Sequence, residues 1–135
     1  AMARIMDVEG IGPVYAAKLV EAGITKTEIL LEKGATPQGR KALEEQTGIS
    51  HGLILEWVNH VDLYRIKGVA SEYSDLLEEA GVDTVVELAR RVAENLYQKM
   101  LAVNVEKKLV RRPPTQKQVA DWIEQAKKLP RVVNY

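Results

Sequence analysis

The turn Val8-Glu9-Gly10-Ile11-Gly12 returns later in the chain as Ile66-Lys67-Gly68-Val69-Ala70, 58 residues further on. The residues that follow recur at the same offset: Tyr15, Leu19, Glu21, Ala22 and Gly23 match Tyr73, Leu77, Glu79, Ala80 and Gly81. Ala35, Lys41 and Leu43 match Ala93, Lys99 and Leu101, and Trp57 matches Trp122 after a short insertion. Repetition in one register predicts a tandem duplication of one structural unit.

Helix start and stop signals follow each turn. Pro13 at a first helical position and Gly23 just past the end predict a helix over residues 13–22, and the second copy predicts one over 71–80. A capping box at Thr25–Glu28 predicts a short helix through Leu31, and Asp83 or Thr84 begins its counterpart, which runs through Ala89. Another helix is predicted from Thr36-Pro37 to Gly48, and the next begins after Ser50. The last predicted helix begins at Thr115 with Gln118 and ends before Pro130. No segment has a convincing strand pattern.

Length and composition limit the domain organisation. The 135 residues, 46% of them hydrophobic, predict one compact domain over 1–135. It would consist of two repeats, at about 5–65 and about 66–132, with a basic insertion at 105–114 in the second. The absence of cysteine excludes disulfides, thiolate nucleophiles and Cys-based metal sites, and it suits a reducing compartment.

No apolar run approaches the roughly 20 residues that a membrane span needs, and the N-terminus has no signal-peptide core. We therefore expect a cytoplasmic protein without a membrane partner. Ala1 in front of Met2 is typical of a residue left by expression cloning.

The glycine turns also carry a family resemblance. Gly10-Ile11-Gly12-Pro13, followed by Ala16 and Leu19, resembles the helix-hairpin-helix motif, and Gly68-Val69-Ala70 with Leu76 and Leu77 is a looser match. Residues 69–77 and 106–112 are similar to a group of bacterial proteins that have this motif duplicated and no assigned activity. The resemblance implies an all-α fold, a duplicated helix-hairpin-helix (SAM-domain-like) compact helical domain with a pseudo-twofold repeat. It also implies hairpins that grip the sugar-phosphate backbone of DNA across the minor groove without reading sequence.

The chemistry of the turn points to an anion as ligand. A turn that opens a helix aims backbone N–H groups outward at the positive end of the helix dipole. The candidate phosphate-binding residues of the hairpins are Gly10, Ile11, Gly12, Val14, Lys18 and Gly68. The second copy is the weaker candidate, because acidic residues surround it and Ala70 replaces its second glycine. A methyl group there would disfavour positive φ and obstruct close approach.

Charge is balanced overall but unevenly placed. Residues 67–96 carry three basic and seven acidic residues, net −4, whereas residues 97–135 carry nine basic and three acidic residues, net +6. The basic candidates cluster around the insertion: Lys107, Lys108, Arg111, Arg112 and Lys117. Neutralising about four phosphates would give a slope of log affinity against log salt of about −3.6. The alternative interpretation is a solvated loop with no partner.

Catalysis has little support in the sequence. His51 and His60 have no nucleophile or carboxylate at a recognisable spacing, and both are predicted to be surface or cap residues. We therefore predict no enzyme, no cofactor and no metal site, although the resemblance leaves open a monovalent cation on the carbonyls of Gly10 and Gly12. Two hypotheses remain: sequence-independent binding of nucleic acid, chiefly DNA, or a protein-interaction module that meets a partner protein or another copy of itself through surfaces of opposite charge.

Overall fold

The computed structural model describes residues 4–135; Ala1 and Met2 lie outside the described residues. A short 3-10 helix, Ile5–Asp7, precedes the helices α1 (Pro13–Glu21), α2 (Thr27–Gly34), α3 (Pro37–Thr47), α4 (His51–Leu63), α5 (Ser71–Glu79), α6 (Val85–Ala89), α7 (Ala93–Lys107) and α8 (Gln116–Lys127). Within residues 4–135 the only strand-like pairing is an isolated bridge between Arg4 and Lys26. The prediction of an all-α fold is confirmed.

Most helices begin where the sequence predicts a cap. The Thr36 hydroxyl accepts the Gly39 amide at 3.0 Å, and Thr84 caps α6 in the same way. Thr115 and Gln118 form a reciprocal capping box at the start of α8. These side chains satisfy amides that have no partner inside the helix, so local sequence is enough to place the helix starts.

The predicted capping box at Thr25 is wrong. The N-cap of α2 is Lys26, which makes no side-chain cap bond, and the helix runs from Thr27 to Gly34 instead of ending at Leu31. Thr27 and Leu30 are buried, and Gly34 is buried at the other end. Burial of one face therefore places this helix, because packing outweighs a single cap hydrogen bond.

Four helices are followed by a residue in the left-handed conformation, and in two of them this residue is the predicted glycine just past the end: Gly23 after α1 at φ 87° and Gly81 after α5 at φ 96°. Gly48 ends α3 at φ 73°, as predicted. Lys108 ends α7 at φ 52° and is the one non-glycine residue with positive φ in the described part of the chain. Because α7 extends to Lys107, the first residues of the predicted insertion are helical and the loop begins at Lys108.

Replacing Lys108 by glycine should raise the free energy of unfolding by about 0.5–1 kcal/mol, because glycine adopts positive φ without the Cβ penalty. Gly48→Ala is the matched opposite change: no atom lies within 4 Å of the added Cβ, so only the φ penalty of about 1 kcal/mol remains. Urea denaturation followed by circular dichroism measures both changes. A destabilised Lys108→Gly variant would contradict this account of the α7 terminus.

The chain divides into two compact units. Unit 1 comprises the residues up to Asp62 together with residues 132–135, and unit 2 comprises residues 63–131. Within unit 1, α2 packs on α3; within unit 2, α8 packs on α6 and α7, and α5 packs on α7. The division lies close to the predicted repeat boundary at 65/66, and a single domain over 1–135 stays a prediction.

The core of unit 2 is built from aliphatic side chains around Trp122, including Leu76, Leu77 and Leu88, all of them buried. Such burial supplies most of the stability of short helices that are marginal alone. In residues 4–135, no helix has the length and apolar character needed to cross a membrane.

Candidate nucleic-acid interface

The first glycine turn is a β-turn closed by the Ile11 amide, which donates to the Val8 carbonyl at 3.0 Å. Gly10, its third residue, has φ 90°, the conformation for which glycine is favoured at this place in a type II turn. A Cβ on Gly10 would also lie 3.2 Å from Nε1 of Trp57. Backbone conformation and the indole together account for glycine here.

The second turn has the same construction. The Val69 amide donates to the Ile66 carbonyl at 3.1 Å, and Gly68 has φ 97°. A Cβ on Gly68 would lie 3.0 Å from Nε1 of Trp122. Gly68, like Gly10, is therefore explained by packing inside its own unit, without a ligand.

Gly12 differs from these two glycines. It is the N-cap of α1 with φ −86°, a value open to any residue, and nothing lies within 4 Å of an added Cβ. Ala70 holds the corresponding N-cap of α5 at φ −122°. The prediction that alanine would oppose positive φ there is wrong, because neither N-cap has positive φ. What distinguishes the turns is open space above Gly12 and a methyl group at Ala70.

The hairpin residues divide into core and surface. Ile11 is only 4% exposed and its amide is used within the turn, so it packs in the core. The amides of Gly12 and Val14 precede the first helical bond of α1, from the Ala16 amide to the Gly12 carbonyl at 2.9 Å. Val14 is 69% exposed. The amides that α1 leaves without an intrahelical partner are thus those of Gly12, Val14 and Tyr15.

Lys18, the basic candidate of the first hairpin, is exposed on α1. It lines an open cleft of about 540 Å³ together with Glu21, Ala22, Gln46 and Thr47. Glu21 adds a negative charge to that cleft, so Lys18 alone does not make it a phosphate site.

Each unit contains a pair of aromatic rings in contact. The rings of Tyr15 and Trp57 lie 5.2 Å apart in a tilted arrangement, and those of Tyr73 and Trp122 also lie 5.2 Å apart. Both tryptophans are buried. These ring contacts stabilise each unit.

Residues 108–115, which we call the basic loop, have a fixed backbone. The Asn104 carboxamide donates to the Val110 carbonyl at 3.0 Å and accepts the Val110 amide at 2.9 Å. The Tyr73 hydroxyl donates to the Arg112 carbonyl at 2.9 Å. Val110 and Pro114 are buried. The side chains of this loop are therefore presented from a preorganised backbone.

The basic candidates of unit 2 are not equivalent. Nζ of Lys107 lies 2.9 Å from Oε2 of Glu79, and this hydrogen bond raises the pKa of Lys107 above its ordinary value. The side chains of the other four are exposed, and none forms a hydrogen bond or ion pair with another residue of the 4–135 range: Lys108, Arg111, Arg112 and Lys117. These four side chains carry the uncompensated positive charge of the region.

A family model described as a domain of unknown function (DUF4332) matches residues 9–129. The chain belongs to the DUF4332 family. The match includes both turn glycines, Gly10 and Gly68, and the whole basic loop, so these features lie inside the DUF4332 domain and not in flanking sequence. No curated protein and no solved structure matches the chain.

Two polar residues of unit 1, His60 and Arg40, are buried although the sequence did not predict it. His60 is buried, so its prediction as a surface or cap residue is wrong, whereas His51 is exposed with Nδ1 3.9 Å from a Glu44 oxygen. Arg40 is 2% exposed and was not a candidate. The one sequence signal for its burial is its position three residues before Leu43, on the same face of α3.

Proposed function

We propose that this DUF4332 domain is a non-enzymatic protein that binds nucleic acid without sequence preference, through the first hairpin and the basic loop. The observation that carries the proposal is the basic loop with its exposed, uncompensated cations on a fixed backbone. A backbone that is already fixed loses little conformational entropy when its side chains bind phosphates, and the bound cations release the counterions of the nucleic acid.

We further propose that the two units are copies of a helix-hairpin-helix, as the sequence repeat predicts. In support, each turn has a glycine at positive φ, an extended N-cap residue and a nine-residue helix after it. The tryptophan Nε1 lies at nearly the same distance from each glycine's Cβ position. Such agreement in backbone and packing is expected when one unit has been duplicated.

Within this proposal the two hairpins have different uses. Gly12 leaves its helix terminus open to a phosphate, while Ala70 places a methyl group at the other. The helix after Ala70 carries Glu72, Asp75, Glu78 and Glu79, whose charges repel phosphate. Gly68 therefore shapes the second turn, and the first hairpin supplies the backbone amides.

Binding should be measured by fluorescence anisotropy with unrelated DNA duplexes and single strands over a salt series. With Lys108, Arg111, Arg112 and Lys117 on phosphates, the slope of log affinity against log salt is expected to be about −3.6. Replacing all four by alanine should remove most of this slope. Lys33, Lys41, Arg90 and Lys99 are also exposed, and their replacement by alanine is the charge-matched control that should leave the slope nearly unchanged. No binding at low salt would refute the proposal.

A substitution at the first hairpin tests the amides separately. Gly12→Val should weaken affinity with little change in the salt slope, because it blocks approach to the helix terminus without removing a charge. Ala70→Val, at the N-cap of α5, is the control and should leave affinity unchanged. Equal effects of the two changes would assign binding to the basic loop alone.

A second candidate function is protein interaction. Unit 2 carries both the acidic helix α5 and the basic loop, and a surface with both signs suits a protein partner or another copy of the chain. Sedimentation of the protein alone at low and high salt tests self-association. A monomer at every concentration would eliminate the homo-oligomer.

A further inference from the structure

The last four residues, 132–135, belong to unit 1 although the chain reaches them from unit 2. The Asn134 amide donates to the Ala35 carbonyl at 2.8 Å, and the Asn134 carbonyl accepts Nη2 of Arg40 at 2.7 Å. The Tyr135 hydroxyl donates to Oδ1 of Asn59 at 3.1 Å, and Val133 is buried. We call residues 132–135 the strap, and the groups of Gly34, Ala35, Arg40 and Asn59 the slot.

Arg40 is the centre of the slot. Its Nη1 donates to the Gly34 carbonyl at 2.8 Å, a bond within the slot that does not involve the strap. Its Nη2 is directed at the strap, and the guanidinium carbon lies 5.9 Å from the centroid of the Tyr135 ring. One side of the guanidinium is thus anchored while the other side holds the strap.

The connection between α2 and α3, which contributes Gly34 and Ala35 to the slot, is closely packed. A Cβ on Gly34 would overlap the side chain of Val58, and a Cβ on Gly39 would overlap the Lys33 carbonyl. Thr36 caps α3 between these two glycines. Contacts that do not involve the strap therefore hold the connection between α2 and α3.

Recognition of the strap uses both main chain and side chain. The two bonds of Asn134 are made by its backbone amide and carbonyl, as in pairing with an extended peptide. Val133 supplies a buried apolar contact, and Tyr135 supplies a ring and a hydroxyl. The specificity of the slot therefore lies in three consecutive residues: a valine side chain at 133, a backbone N–H at 134 and a tyrosine side chain at 135.

From these contacts we infer that the slot is a peptide-binding site, that the strap is its resident ligand, and that a detached peptide with the sequence of residues 131–135 binds the same slot when the strap is displaced. The inference is independent of the proposed nucleic-acid function, since no strap or slot residue belongs to the basic loop or the first hairpin.

The test uses the full chain with Asn134→Pro, which removes the amide that donates to Ala35 and weakens the resident strap. A fluorescein-labelled peptide of residues 131–135 is titrated into this variant and into the unchanged protein. The unchanged protein should bind the peptide at least about tenfold more weakly, because its own strap competes at an effective concentration of order millimolar. A peptide carrying the same Asn134→Pro change is the matched control and should not bind.

The inference is overturned by no saturable binding to the folded variant, by equal affinity for variant and unchanged protein, or by unchanged peptide affinity when Arg40→Ala is added to the variant. Tyr135→Ala is a milder way to loosen the strap and should give a smaller gain in peptide affinity. If the Asn134→Pro chain does not fold, refolding it with excess peptide should restore the helical circular dichroism signal, and failure to do so also overturns the inference.

Discussion

Replacing Trp57 by alanine is expected to destabilise unit 1 by about 3–5 kcal/mol, the range for removing a large buried aromatic side chain. Trp57 is 0% exposed, and its indole contacts the Tyr15 ring and lies beside Gly10. The change to alanine removes both contacts. Urea denaturation followed by circular dichroism measures the loss. A cost below about 1 kcal/mol would contradict the central place of this indole in unit 1.

Trp122→Ala is the matched change in unit 2, where the indole packs against Tyr73 and beside Gly68. Each variant keeps one tryptophan in the other unit, so its fluorescence reports the unit that was not altered. Coincident fluorescence and dichroism transitions would support the prediction of a single cooperative domain, and separate transitions would contradict it.

The second large effect is expected at Gly10. Gly10→Val should cost about 3 kcal/mol, because a β-branched residue is strained at φ 90° and its Cβ would crowd Nε1 of Trp57. Thermal or urea unfolding measures the loss, and Gly68→Val should behave in the same way within unit 2.

Gly12→Val is the control for this prediction, since it introduces the same side chain two residues away in the same turn. Gly12 has negative φ and open space around its Cβ position, so the cost should be at most about 1 kcal/mol, from a poorer N-cap. Equal costs at Gly10 and Gly12 would show that the indole contact and the positive φ do not determine the choice of residue.

Local signals predicted much of the helical framework. Pro13 begins α1, Gly48 ends α3 in the left-handed conformation, and Thr36, Thr84 and Thr115 act as caps. Each of these features depends on atoms within four residues along the chain. The sequence therefore contains the complete physical cause, and the prediction does not need the fold.

Prediction failed where packing decides. Burial of Thr27 and Leu30 displaced the helix start that was predicted at Thr25, and His60 is buried. For Ala70 the prediction assumed a positive φ, whereas its φ is −122°. For the first two, the residue type allowed two environments, and only the positions of distant side chains choose between them. The extended φ of Ala70 is the ordinary conformation of an N-cap residue.

In the candidate site, too, the sequence predicted the local features and not the contacts between distant residues. Composition and clustering indicated the basic loop, but the Lys107 pair with Glu79 spans 28 residues and the bond from Tyr73 to Arg112 spans 39. The first pair neutralises Lys107 and leaves the other cations uncompensated. The second pair helps to fix the backbone of the loop. No local pattern could have separated Lys107 from Lys108.

The sequence by itself determined the all-helical fold class, the glycine turns and most helix ends, because these depend on backbone conformation and hydrogen bonds between near neighbours. The tertiary structure alone decided that Gly10 and Gly68 lie against tryptophans, that Gly12 does not, and that Arg40 holds the strap from 94 residues away. Contacts between residues far apart in the chain form only once the helices pack, so the candidate interface and the slot depend on the tertiary structure.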